Sequence, residues 1–180
     1  IEKIEIVAHA RFDGTTPTID SHGLVMLPQP FRVLGDSTDA DGLTVIPFSS
    51  AASVVDGVTP DTVSKLFTEH SPRGSTNLAA ALQEVAKKAR ASAKKTVALV
   101  FTDGSPDDEK AAVRAIEAAG KELGRPKIGF VFIQVGNDPG AAGFLAKLDE
   151  GLGVDVCATV SAKDAESLSP AQFVWLAQHG

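Results

Sequence analysis

A single cysteine, no apolar run long enough to span a membrane and no surplus of positive charge set the first limits on this chain. Cys157 has no second cysteine with which to form an internal disulfide, and it sits in an apolar run. It reads as a buried, inert thiol rather than a nucleophile, and so little cysteine suits a reducing compartment, most simply the cytoplasm. No stretch has the length and apolarity of a transmembrane helix or a secretory leader, so no membrane role is expected. Seventeen basic against 23 acidic side chains leave a net charge of −6. Nucleic-acid binding needs a basic face, so that class of partner is set aside. No Gly-x-Gly-x-x-Gly or Walker loop follows a strand, which removes the usual nucleotide cradles. His9, His22, His70 and His179 share no spacing that would make them metal ligands or general bases. What remains is a chain of 180 residues, 43% apolar, sufficient for a single domain with a sizeable core.

The most informative stretch is Thr96-Val97-Ala98-Leu99-Val100-Phe101-Thr102-Asp103-Gly104-Ser105-Pro106-Asp107-Asp108. Residues 96–101 are almost wholly apolar and do not alternate, as in a strand buried on both faces at the centre of a parallel sheet. The run stops at an acid followed by glycine. Ser105 is a good N-cap, Pro106 suits a first helical position, and Asp107 and Asp108 sit where a helix dipole favours anions. Asp103 is thereby placed at the carboxyl end of a central strand, where open α/β sheets hold their ligands. The plainer alternative is that Asp103-Gly104 is only a tight turn.

Strand and helix patterns alternate from residue 43 onward. Strands are predicted over residues 43–48, 127–135 and 154–160, and helices over 61–69, 77–93 and 106–123. A further helix carries Phe144, Leu145 and Leu148, and a last one carries Phe173, Val174 and Leu176. In helix 77–93, Leu78, Leu82, Val85 and Ala89 make one apolar stripe. Thr59-Pro60, Ser105-Pro106, Asp138-Pro139 and Ser169-Pro170 each pair a cap residue with a proline at a predicted helix start. The alternation predicts an α/β, three-layer sandwich: a central, mostly parallel sheet with helices on both faces. Residues 2–10 alternate and form a candidate strand. Residues 11–41 are atypical, because Pro17, Pro28 and Pro30 with Gly23 and Gly35 interrupt any helix placed there.

Three loops gather chemistry at one sheet edge. Asp13-Gly14-Thr15-Thr16-Pro17 follows the first candidate strand, Ser75-Thr76-Asn77 precedes the helix at 77–93, and Asp103 ends the central strand. An acid with hydroxyls, a threonine and a second acid make a hard oxygen cage of the kind that suits Mg²⁺. With so few carboxylates, such an ion stays electrophilic and can accept a carboxylate from a partner.

The sequence here resembles the von Willebrand factor A domain family over roughly residues 40–180. The matching stretches are Leu43-Thr44-Val45-Ile46-Pro47-Phe48-Ser49-Ser50, Gly74-Ser75-Thr76-Asn77-Leu78, Phe101-Thr102-Asp103-Gly104 and Phe132-Ile133-Gln134-Val135-Gly136. Thr102-Asp103-Gly104-Ser105-Pro106-Asp107-Asp108, Val135-Gly136-Asn137-Asp138-Pro139 and Asp155-Val156-Cys157-Ala158-Thr159-Val160 are similar to the bacterial branch near tellurium-resistance and stress proteins. The resemblance implies a Rossmann-like fold with a metal-ion-dependent adhesion site, MIDAS-like, at the carboxyl edge of the sheet. It implies Thr76 as a direct ligand, Asp103 as a water-mediated one, and Asp13 and Thr15 as what remains of the family's Asp-x-Ser-x-Ser motif. Pro17 replaces the second serine of that motif. The family's amphipathic helix after this motif has no counterpart here: either the segment is remodelled, or a compensated pair of reading-frame slips has scrambled it.

The function expected on this basis is non-enzymatic. The chain is expected to be a protein-interaction module, monomeric, that binds Mg²⁺ (or Mn²⁺ or Ca²⁺) and whose protein partner completes the metal shell with an acidic side chain. A metal-free interaction scaffold is the first alternative. A phosphatase is the second, since Arg11-Phe12-Asp13-Gly14-Thr15 is similar to the Asp-x-Asp-Gly-Thr loop of haloacid-dehalogenase-type enzymes. In that loop the first aspartate is the nucleophile, and arginine at position 11 cannot form an acyl phosphate.

Overall fold

The computed structural model describes residues 3–9, 18–19, 24–26, 32–34, 43–59, 62, 65–66, 69, 75–103, 105–165, 167–168 and 170–179, with the backbone course alone before residue 43. It is a mixed α/β structure built on a six-stranded sheet. The strands are β1 (Lys3–His9), β5 (Leu43–Pro47), β6 (Val55–Val58), β7 (Thr96–Thr102), β8 (Ile128–Gln134) and β9 (Cys157–Ser161). Their order is β6-β5-β1-β7-β8-β9. All neighbours run parallel except β6, which is antiparallel to β5 with a shifted register. The predicted strand at 96–101 therefore lies inside the sheet, between β1 and β8.

All seven residues of β7 are buried, and their side chains divide between two cores. Ala98 and Val100 join Ile128, Phe130 and Phe132 of β8 on one face. Three helices cover that face: α1 (Leu78–Ala91), α2 (Glu109–Leu123) and α3 (Pro139–Gly151), through Leu82, Val85, Ile116 and Phe144. Val97, Leu99 and Phe101 join Val131 and Ile133 on the other face. There the cover is Leu66, which is helical, together with α4 (Ala162–Ala165) and α5 (Pro170–His179), whose Phe173 and Ala177 are buried. Period-two alternation inside an unbroken apolar run thus feeds both layers at once, because successive side chains point to opposite faces. The arrangement is compatible with a Rossmann-like fold.

Within residues 18–40, where the prolines argue against a long unbroken helix, the described residues are not helical. They form short strands, β2 (Thr18–Ile19), β3 (Leu24–Met26) and β4 (Arg32–Leu34), paired antiparallel in a separate sheet of order β2-β3-β4. Pro28 and Pro30 themselves lie outside the described residues.

The helix starts divide. Asp138 caps α3, its carboxylate accepting from Ala141 N–H at 2.7 Å, with Pro139 in the first turn, as predicted. α2, by contrast, opens at Glu109 with Asp108 as its cap, three residues beyond the predicted start at Pro106, and Ser105 is no cap. Ser169 and Pro60 lie outside the described residues. β9 also begins later than the predicted residue 154: Val154 packs on Gly120 of α2, and Val156, which packs there too, meets β8 only through its carbonyl, which accepts from Phe130 N–H at 2.8 Å.

Two positions test this packing. Gly129 lies where the α5 backbone crosses β8, and a Cβ there would strike the Ala177 carbonyl and come within 2.8 Å of Ala177 Cβ. Gly129→Ala is expected to destabilise by about 1–3 kcal/mol through overpacking. Thr96 is completely buried, and among the described residues its Oγ1 has no hydrogen-bond partner. Removing an unsatisfied hydroxyl costs nothing in lost bonds, so Thr96→Val should be neutral or stabilise by up to about 1 kcal/mol. Urea unfolding of both variants measures this, and a stable Gly129→Ala protein would contradict the α5 placement.

Candidate metal centre

The strands of the sheet end together. His9, Thr102, Gln134 and Ser161 are register partners across β1, β7, β8 and β9, so these four carboxyl ends form one row. Val135 N–H donates to the Thr102 carbonyl at 2.8 Å and carries the pairing one residue further. Asp103 follows immediately on Thr102 and is half-buried at this edge. The loop it opens stays close to the sheet: Pro106 is buried, and Ser105 packs against α3 where Gly140 leaves no Cβ in the way.

Thr76 is held beside that loop. It is buried, and its backbone forms a reciprocal pair with Asp107: Thr76 N–H donates to Asp107 Oδ2 at 2.9 Å, and Asp107 N–H donates to the Thr76 carbonyl at 3.1 Å. The next residue faces the other way. Asn77 N–H donates to the Ser49 carbonyl at 2.7 Å, and its side-chain Nδ2 donates to the Ser50 carbonyl at 3.2 Å. Asn77 Oδ1 accepts from Ala80 N–H, so Asn77, not Thr76, caps α1. The β5 loop, the α1 start and the β7 loop are thereby linked in one hydrogen-bonded chain.

Of the four residues predicted to hold an ion, Thr76 and Asp103 fall on adjoining, bonded loops. Asp13 and Thr15 lie outside the described residues; the chain leaves β1 at His9, in the same row as Thr102. Among the described residues no three His, Cys, Asp or Glu side chains gather into a metal-holding group. The oxygen donors that are described, a threonine hydroxyl and a carboxylate, are hard ligands of the kind Mg²⁺ and Mn²⁺ take. The acids around them have other duties: Asp107 clasps Thr76, and Asp108 and Asp138 cap α2 and α3. The clasp was not anticipated from sequence. Its local signal was only that Asp107 and Asp108 stand side by side where one cap suffices.

Cys157 is buried as expected, and burial, with the Asp149 charge adding, pushes its thiol far above the ordinary range. It stays protonated at physiological pH, which suits the inert role. Among the described residues no helix is long and apolar enough to cross a membrane. No protein-family model matches the chain, and comparison with curated proteins returns no match.

The two helices nearest the site are braced on their solvent side. Arg90 of α1 donates from Nε and Nη2 to the Glu122 carboxylate of α2, both at 2.6 Å. This hydrogen-bonded pairing holds the Glu122 carboxyl below its ordinary range. A carboxyl whose folded value is depressed stabilises above its unfolded value and loses that contribution as pH falls through the folded one. Arg90→Ala should therefore raise the Glu122 titration midpoint toward an ordinary carboxyl, about 4.3. It should also flatten the acid limb of stability against pH. Carboxyl NMR titration reads the first effect and urea midpoints across pH the second.

Proposed function

We propose that this chain is a non-enzymatic protein-interaction module of the von Willebrand factor A type, acting through a divalent ion. Thr76 and Asp103 would hold the ion together with Asp13 and Thr15, in a MIDAS-like site. The observation that carries the proposal is the bonded pair of loops: a buried threonine at the start of α1 is tied to the loop that Asp103 opens at the end of β7. The motif resemblance of residues 40–180 supports the same reading, and points to a bacterial tellurite or stress response as its setting.

A bound Mg²⁺ or Mn²⁺ would supply a positive centre able to take one more carboxylate. The chain's own residues do the rest. Thr76 offers a neutral oxygen, so the shell is not saturated with negative charge, and Asp103 offers an anchoring carboxylate. A partner protein then docks by an acidic side chain. Scarce cysteine and the inert Cys157 thiol suit a cytoplasmic setting.

One observation favours a second reading, a metal-free scaffold. The Thr76–Asp107 pair and the Asn77 bonds to Ser49 and Ser50 hold the loops through protein contacts alone. Thermal melts in millimolar Mg²⁺ or Mn²⁺ against chelator separate the two. A ligand bound only by the native state stabilises by RT ln(1 + [L]/Kd), about 2.7 kcal/mol at a hundredfold excess over Kd. For a chain of this size that is a rise of about 5–10 °C in Tm. Asp103→Ala should remain folded and lose the rise, since the residue lies beyond the strand at the rim. No rise in the wild type, with no heat of Mn²⁺ binding by calorimetry, leaves the scaffold.

A further inference from the structure

Asp107 belongs to none of the ligand positions, yet it is the residue that joins two of them. Its carboxylate accepts from Thr76 N–H at 2.9 Å, and its own N–H returns to the Thr76 carbonyl at 3.1 Å. Leu78 N–H shares that carbonyl at 2.9 Å. The two residues are 31 apart in sequence. Asp107 itself is only four positions past Asp103, in a loop pinned at its far end by the Asp108 cap of α2. The distance between the Thr76 and Asp103 loops is therefore set through Asp107.

We infer that Asp107 is a positioning residue of the divalent-ion site: it sets Thr76 against Asp103 and so sets ion affinity without itself binding the ion. The inference rests on the proposed metal site. Its side chain has committed Oδ2 to a backbone amide, which is how an outer carboxylate orients a ligand loop. The bond needs an acceptor oxygen and no charge, so asparagine can replace aspartate in this role. Alanine cannot. A direct ligand would behave differently, because an amide in place of a carboxylate removes the charge that attracts the ion.

The test is Mn²⁺ binding by calorimetry to the wild type, Asp107→Ala, Asp107→Asn and Asp103→Ala, with amide hydrogen exchange at Thr76 measured in chelator. Asp107→Ala should speed exchange at Thr76 and weaken Mn²⁺ binding about 10–100-fold, the usual range for loss of an orienting partner. Asp107→Asn should keep slow exchange and bind close to wild type, while Asp103→Ala should lose binding with Thr76 exchange unchanged. Wild-type binding with Asp107→Ala equally tight overturns the inference alone. Loss of binding in Asp107→Asn with Thr76 still protected also overturns it and makes Asp107 a ligand. No binding by the wild type overturns both the inference and the metal site beneath it.

Discussion

A strand covered on both faces has nowhere to rest a charged side chain, and β7 presents seven buried positions in succession. That constraint organises the rest of the chain. Val97, Leu99 and Phe101 demand a cover on one side, Ala98 and Val100 on the other, and segments both before and after the strand in sequence supply it. Parallel neighbours require crossovers, and α1, α2 and α3 lie in crossovers that cover one face, while α4 and α5 follow the last strand and help cover the other. The first place where a charged residue stands is just past the strand, which is where Asp103 occurs. Core and site are consequences of the same run of residues.

The site depends on that rigidity in a second way. Thr76 comes from a crossover and Asp103 from a strand end, so nothing local keeps them together. The sheet fixes one side, the packing of α1 through Leu78, Leu82 and Val85 fixes the other, and the Asp107 and Asn77 hydrogen bonds close the remaining gap. A hydrogen bond of this kind contributes only about 1 kcal/mol to stability. Its other effect is to tie the Thr76 backbone to the β7 loop.

Much of this was legible in the residues, and the failures have a common cause. The strand at 96–101 and the apolar stripes of the helices announce themselves because burial imposes periods of 2 and 3.6 on composition. Asp138-Pro139 also read correctly, since both chemistry and periodicity agree there. Ser105-Pro106 has equally good capping chemistry and does not cap, because Asp108 does so and Asp107 turns aside to Thr76. No window of local sequence contains that bond. Val154 misled in the same manner: it is apolar to meet Gly120, not to pair with β8. In residues 18–40 the described parts are strands, and the antiparallel pairing of β2, β3 and β4 has no strong alternation to reveal it. Thr76 was visible as a helix-start residue; that Asn77 and not Thr76 takes the cap was not.

The two margins of the sheet are unlike. β6 meets β5 out of register, runs against the other strands and bends at Gly57 with φ of 67°. So broken a border is a poor template for a foreign strand. β9 is regular over five residues, pairs with β8 in continuous register, and keeps its outer backbone groups beyond that pairing. If copies of this domain ever meet edge to edge, they do so through β9: two copies paired β9 to β9 leave only their β6 borders outermost, and the stack ends there.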